Sequence, residues 1–314
     1  MKTEHWSRMA ETGSEIGIRT LLIIYRILGK RGFRFLLKPV IFYYWAFAKQ
    51  HRTASEQYLQ NLQAYFDPLD YPTKKLNSFH HLSYFAEAIL NKIIAWRGDI
   101  SIDDINFHFA DGLAENAKTL RSALIIGSHL GDLELCRALS ARETGLKVTA
   151  LVFTRHAVRF NALLEKYQQV GRGRIELLQI DAISPATLFL LQQKIQAGHL
   201  IIIVGDRTSP NDPTLQNSSS ATFLGKTAYF PHGPYVLAHL LKVPVYLMFV
   251  LRHPTQDNRF DFYLELFAER IHLPRALRKQ EGVQGYIEKY AARLEHYCRL
   301  SPLEWFNFYD FWRK

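Results

Sequence analysis

The chain has 314 residues, 48% hydrophobic and 22% charged, a balance that excludes a disordered or fibrous chain and suffices for one large domain or two modest ones. Lys and Arg number 39 against 29 Asp and Glu, a net charge of +10, which favours an acidic partner such as anionic lipid, nucleic acid or an acidic protein. The two cysteines, Cys136 and Cys298, lie far apart and in no metal spacing, which excludes a disulfide framework and predicts a reducing compartment.

The first fifteen residues are polar and charged, so no cleavable signal peptide is expected. Residues 18–48 then hold two apolar stretches, 21–28 and 35–48, interrupted by Arg26 and by Lys38-Pro39. Lys30, Arg31 and Arg34 lie between them. Neither stretch reaches the roughly 20 uninterrupted apolar residues of a spanning helix. Basic residues beside Tyr, Trp and Phe suit a segment lying on a membrane surface. Buried core helices and a true span are the alternatives. Residues 52–65 alternate charged and apolar positions, Asp67-Pro68 and Tyr71-Pro72 break the pattern, and 77–96 resumes it. Residues 1–110 therefore read as a helical, membrane-associating region.

From about residue 120 strands and helices alternate. Apolar runs of strand length are 123–126, 148–153, 175–180, 200–204 and 245–250, with 260–267 a further strand. A helix is expected to start at Ser184 with Pro185 in its first turn, and to stop before Gly198. Val283, Tyr286, Ile287, Tyr290, Leu294, Tyr297 and Cys298 share one helical face. Residues 111–314 are expected to form an α/β core, a mixed, mostly parallel central sheet flanked by helices. The loop between 250 and 260 is too short for a crossover helix, so those two strands should pair antiparallel.

His129 and Glu134 follow the first core strand, in Gly127-Ser128-His129-Leu130-Gly131-Asp132-Leu133-Glu134. A neutral imidazole is a good general base near pH 7, and a carboxylate can fix its tautomer. Residues five apart in one ideal helix point about 140° away from each other, so the pair can cooperate only with His129 in the turn and Glu134 on the helix. A histidine that only caps the turn is the structural alternative, and Asp132 is a competing carboxylate. Gly205-Asp206-Arg207 closes the strand 200–204, and carboxyl ends of strands commonly line sites in α/β sheets. Arg207 there could bind a phosphate or carboxylate, or pair with Asp206 to hold a loop. Residues 208–221, rich in Ser, Asn and Pro, read as an exposed, mobile loop, a candidate lid. The segments 223–226 and 230–234 read as pocket wall or as plain loop anchors. Arg155, after the strand 148–153, and Asn161 could face the same site or serve on the surface. There is no Gly-x-Ser-x-Gly elbow, P-loop, Rossmann glycine motif or His-Glu-x-x-His. No metal spacing and no nucleic-acid motif is recognisable.

Together these residues resemble the lysophospholipid acyltransferase superfamily, in its lipid A biosynthesis late acyltransferase branch. The family's His-x4-Asp/Glu motif is matched by His129 and Glu134, its arginine–asparagine block loosely by Arg155 and Asn161, and its third acidic block by Asp206 with Arg207. The branch's aromatic Pro-x-x-Trp segment is matched by Pro302-Leu303-Glu304-Trp305-Phe306-Asn307-Phe308-Tyr309. Trp6, Glu11-Thr12-Gly13-Ser14, Phe223-Leu224-Gly225 and Phe230-Pro231-His232-Gly233-Pro234 are similar to a subgroup of predicted acyltransferases of bacterial aryl-polyene pathways. Glu134 departs from the superfamily's commoner Asp but is usual in part of this branch.

The resemblance implies transfer of an acyl chain from a thioester, of acyl carrier protein or coenzyme A, to a hydroxyl of a lipid acceptor. His129 and Glu134 would be catalytic, and Arg155, Asn161, Asp206 and Arg207 would bind substrate. No metal or cofactor is needed, and no nucleic acid is expected. The implied location is the cytoplasmic face of a bacterial inner membrane, where an anionic leaflet and an acidic carrier both suit the basic chain. A catalytically silent membrane-bound partner of a lipid-biosynthetic complex and a thioester hydrolase are the alternatives.

Overall fold

A computed structural model describes residues 15–67, 76–96, 99–109, 120–135, 146–152, 175–180, 184–208, 212, 214–274 and 279–312. Seven strands form one sheet: β1 (Ile105–Phe109), β2 (Ala123–Gly127), β3 (Lys147–Val152), β4 (Ile175–Gln179), β5 (His199–Val204), β8 (Val245–Arg252) and β9 (Phe260–Ala268). Their order is β1-β9-β8-β2-β5-β3-β4. Every neighbouring pair is parallel except β8 and β9. The expected α/β class, mostly parallel sheet and antiparallel pair are all present. The central strand β2 is buried at every position, as a parallel strand covered on both faces must be. That explains its uninterrupted Ala-Leu-Ile-Ile run.

Two elements differ from the expectation. The sheet begins at Ile105, inside the stretch read as helical, because β1 pairs along β9 as an edge strand. The candidate lid is partly a hairpin. β6 (Ser218–Phe223) and β7 (Lys226–Pro231) pair in register, and Leu224 and Gly225 both take positive φ, the backbone of a type I′ turn. Ser218 and Ser219 are buried. Asp212 is buried too and accepts the Gln216 and Asn217 amides at 2.8 and 2.7 Å. Within the described part of 208–221, Thr208, Asp212, Ser218, Ser219 and Ala221 are buried and Thr214, Gln216 and Asn217 are exposed, so the stretch is anchored along its length rather than loose throughout.

The helices follow their sequence signals. The N-cap Ser184 accepts the Thr187 amide at 3.1 Å and Pro185 opens the helix Pro185–Gln196. The last described helix, Lys279–Leu300, buries Val283, Ile287, Tyr290, Leu294, Tyr297 and Cys298.

Three N-terminal helices pack beside the sheet: α1 (Glu15–Phe47), α2 (Lys49–Tyr65) and α3 (Ser78–Trp96). Gly29 breaks α1, with φ 64 and ψ −171. One face of α1 puts Phe33, Leu37 and Ile41 against Leu90 and Ile94 of α3. Arg34 is held by Glu87 at 3.0 Å and, through both terminal nitrogens, by Asp257 at 3.0 and 3.1 Å. Those ion pairs answer the Arg34 charge within the protein. The other face of α1 leaves Ile27, Leu28, Phe35, Val40, Tyr43 and Phe47 exposed. No helix among the described residues is long and apolar enough to cross a membrane.

The helices are not a separate layer. Tyr58, Leu59 and Leu62 of α2 belong to the same core cluster as β2, β5 and Trp305. His81 of α3 is fully buried and lies 2.9 Å from Ser55 Oγ and 2.9 Å from the Trp305 carbonyl. A carbonyl can only accept, so His81 donates from Nε2 and accepts from Ser55 at Nδ1. Burial pushes this imidazole down from its ordinary value to about 3.

The unfolded chain therefore takes a proton near pH 6.5 that folded His81 refuses until about pH 3. Stability should be fully present above that window. It should fall with pH inside it by up to about 1.4 kcal/mol per unit from this group. Urea denaturation across pH 4–7 checks this: His81→Gln, which keeps a donor and an acceptor, should flatten the slope by about one proton relative to the wild type.

Candidate active site around His129

The register of β2 and β5 builds the site. Gly127 and Val204 are paired at the carboxyl ends of these strands. Two residues beyond each end stand His129 and Asp206, so in-register strands deliver them side by side. Asp206 Oδ1 lies 2.7 Å from His129 Nδ1, and Oδ2 accepts the His129 backbone amide at 2.9 Å. The chain turns sharply here. Gly131 has φ +74, and a Cβ on it would lie 2.0 Å from the Val250 carbonyl oxygen, so only glycine fits. Ser128 is buried and its Oγ accepts the Leu130 amide at 3.1 Å, which braces the turn.

A third segment completes the arrangement. Leu130 bridges Trp305 antiparallel. The Gly131 amide donates to Glu304 O at 2.9 Å and the Phe306 amide to His129 O at 2.8 Å. Residues 304–306 are thereby laid along the His129 turn. Trp305 Nε1 and Asn307 Nδ2 each donate to Asp206 Oδ2 at 2.9 Å. The other end of the same amide, Asn307 Oδ1, accepts Arg207 Nε at 2.6 Å, and Arg207 Nη2 donates to Phe306 O at 3.1 Å. The Arg207 guanidinium also lies over the Tyr309 ring, 5.7 Å from its centroid.

Asp206 is fully buried yet accepts four hydrogen bonds. Burial works to raise its pKa, but His129, by charge and hydrogen bonding, and then Arg207 carry it below the ordinary value. It is therefore ionised and an acceptor only, so His129 must carry its proton on Nδ1. Nε2 is left with the lone pair, on a side chain that is 29% exposed. Burial lowers the His129 pKa first, then the positive Arg207. Asp206 opposes them, and Lys92 adds to the lowering. The ring is neutral at pH 7, with its basic nitrogen opposite the one held by Asp206. It can take a proton from a hydroxyl or water and return it to a leaving group.

The other expected site residues fall as follows. Glu134 lies in a short 3₁₀ turn, Leu133–Leu135, directly after the His129 loop, and its carboxylate is outside the described residues. Asp206, expected to touch substrate, instead faces inward on His129 Nδ1, in the orienting position expected of Glu134. Arg207 sits beside the ring but is shared with Asn307 and Phe306. Arg155 and Asn161 lie outside the described residues. Among the described residues no cluster of His, Cys, Asp and Glu could hold a metal ion. From sequence, Trp305 and Asn307 had no expected role at the site; their signals were the unusual Trp-Phe-Asn-Phe-Tyr run and its Pro-x-x-Trp resemblance. Comparison with known proteins found no matching family model and no matching curated protein.

Nitrogen-15 NMR of the imidazole should show His129 as the neutral Nδ1–H tautomer at pH 7. In Asp206→Asn the amide can also donate to Nδ1, and the Nε2–H form should gain population. An Nε2–H wild type would contradict the arrangement.

Proposed function

We propose that the protein is an acyltransferase that moves an acyl chain from a thioester, of acyl carrier protein or coenzyme A, to a hydroxyl of a lipid acceptor. The observation that carries the reading is a neutral His129 whose Nδ1 is fixed by buried Asp206, leaving Nε2 as the base at the carboxyl ends of β2 and β5. The resemblance of the surrounding segments to the lipid A late acyltransferase branch supplies the reaction class. No nucleophilic side chain is required, and Ser128 is already engaged in the turn.

His129 Nε2 takes the acceptor hydroxyl proton as the oxygen attacks the thioester carbonyl. Negative charge develops on the carbonyl oxygen of the tetrahedral intermediate. The C–S bond then breaks, and the same proton passes from Nε2 to the departing thiolate. Asp206 holds the ring through both steps and stabilises the transient imidazolium. General acid–base work of this kind contributes roughly 10²–10⁴-fold. Arg207, with Arg155 and Asn161, is assigned to substrate contact, and Glu134 is kept as a second candidate carboxylate.

The membrane reading rests on α1. Its exposed Phe35, Val40, Tyr43 and Phe47 beyond the Gly29 break, with Ile27 and Leu28 before it, suit a helical segment lying in the interface of an anionic leaflet. The net charge of +10 suits both that leaflet and an acidic carrier. The cytoplasmic face of a bacterial inner membrane and, from the subgroup resemblance, an aryl-polyene acyl chain are the first location and donor to test.

Membranes containing wild type or variants, given acyl carrier protein and coenzyme A thioesters, would be analysed by lipid mass spectrometry. His129→Ala should lower formation of one acylated lipid by roughly 10²–10⁴-fold at equal protein level. Asp206→Asn should lower it as well. Product lipid unchanged in His129→Ala would sink the mechanism, and free acid alone would favour a hydrolase. Because the His129 pKa is lowered, kcat/KM should hold from pH 7 down past 6.5 before the acid limb begins. Phe35→Asp and Phe47→Asp should each weaken sedimentation with anionic vesicles by roughly tenfold, the order expected for burying one phenylalanine.

A further inference from the structure

One stripe of α3 runs along the C-terminal segment and on to His129. His81 holds the Trp305 carbonyl at 2.9 Å. Phe85 lies 5.4 Å, centroid to centroid, from Phe306. Ala88 packs in a cluster with Phe306 and Phe308. These positions recur at helical spacing, and the next residue on the same stripe is Lys92. The Phe306 amide is bonded to the His129 carbonyl, so the residue that Phe85 and Ala88 meet is itself joined to the His129 turn. Lys92 is half-buried, and its charge acts on the His129 ring in the same sense as Arg207. No ion pair or hydrogen bond to its ammonium is found among the described residues.

We propose that Lys92, carried by α3 from the N-terminal helical region, is a second cation of the substrate site and holds a phosphate-bearing group of the substrate together with Arg207. The proposal deepens the acyltransferase reading and rests on it for the identity of the substrate. The two cations differ in character. Arg207 is fixed by Asn307 and Phe306 in a set orientation, whereas an ammonium on a flexible stem can follow a phosphate as it docks. An anion bound there would also offset the positive charge that acts on His129. Two positive charges beside a base that must become positive hinder the reaction; a bound phosphate removes that hindrance only when substrate is present. The charged groups acting on the ring are Arg207, Asp206 at the end of β5 and Lys92 from α3; Asp132, three residues on, is buried.

The test uses the whole chain and has two readouts. Imidazole NMR of wild type, Lys92→Met and Lys92→Arg is followed with pH and with added inorganic phosphate, His129 being assigned by its loss in His129→Ala. The His129 pKa should rise in Lys92→Met and stay low in Lys92→Arg. Phosphate should perturb His129 in the wild type and bind about tenfold more weakly, or worse, in Lys92→Met. The second readout is KM, measured with donors and acceptors that carry or lack a phosphate. A KM rise confined to acyl-4′-phosphopantetheine and absent with acyl-pantetheine assigns the donor phosphate. A rise confined to the phosphorylated acceptor assigns the acceptor phosphate. An unshifted His129 pKa with unchanged phosphate binding in a folded Lys92→Met overturns the proposal. Absence of acyl transfer from all thioesters, with NMR behaviour as expected, overturns the reaction class and leaves the anion site standing.

Discussion

A carboxylate with no solvent contact is stable only if its charge is answered by donors, and Asp206 has four of them. They come from two separate stretches of chain, the His129 turn giving two and Trp305 and Asn307 one each, while the carboxylate itself stands at the end of a third, β5. Removing one donor leaves a buried charge short of a partner, which costs more than an ordinary hydrogen bond contributes. The three stretches are therefore tied to one point. The tautomer of His129, the path of residues 304–307 and the placement of Arg207 all follow from satisfying that carboxylate.

The N-terminal helices join the same system from the other side. His81 holds the carbonyl of Trp305, while the indole of Trp305 holds Asp206. Tyr58 packs on the same indole, with centroids 4.8 Å apart. An alteration of α2 or α3 thus reaches the His129 ring through two intervening residues, Trp305 and Asp206. Phe33, Leu37 and Ile41 of α1 pack in turn on Leu90 and Ile94 of α3, so the first helix belongs to the same packed body.

The core was legible where local signals agreed. The run at β2, the Ser184-Pro185 start with Gly198 beyond the stop, and the apolar face of the last helix each combine periodicity with end chemistry. β6 was not legible. Ser-Ser-Ser-Ala-Thr-Phe has no apolar run, and its strand character comes from pairing with β7 and from packing against the last helix. β1 was missed because an edge strand alternates weakly and follows a long helical pattern. The importance of His129 and Asp206 was readable from their places after two strands. That they meet was not, because it depends on β2 and β5 being neighbours in register. Trp305 and Asn307 stood out by their aromatic setting and the Pro-x-x-Trp resemblance, neither of which pointed to Asp206. Their hydrogen bonds to Asp206 span 99 and 101 residues, beyond the reach of any local pattern.

Those sequence separations have a consequence for how the molecule matures. Contacts between distant parts of a chain pay their loop-closure entropy before they are rewarded, and so tend to form late. The orienting bonds around His129 belong to that class, whereas the helices and the β6–β7 hairpin are local. A collapsed but unfinished chain can hold most of its secondary structure and still lack an aligned imidazole. The site would switch on with the final docking of residues 304–307, making its appearance a marker of completed folding.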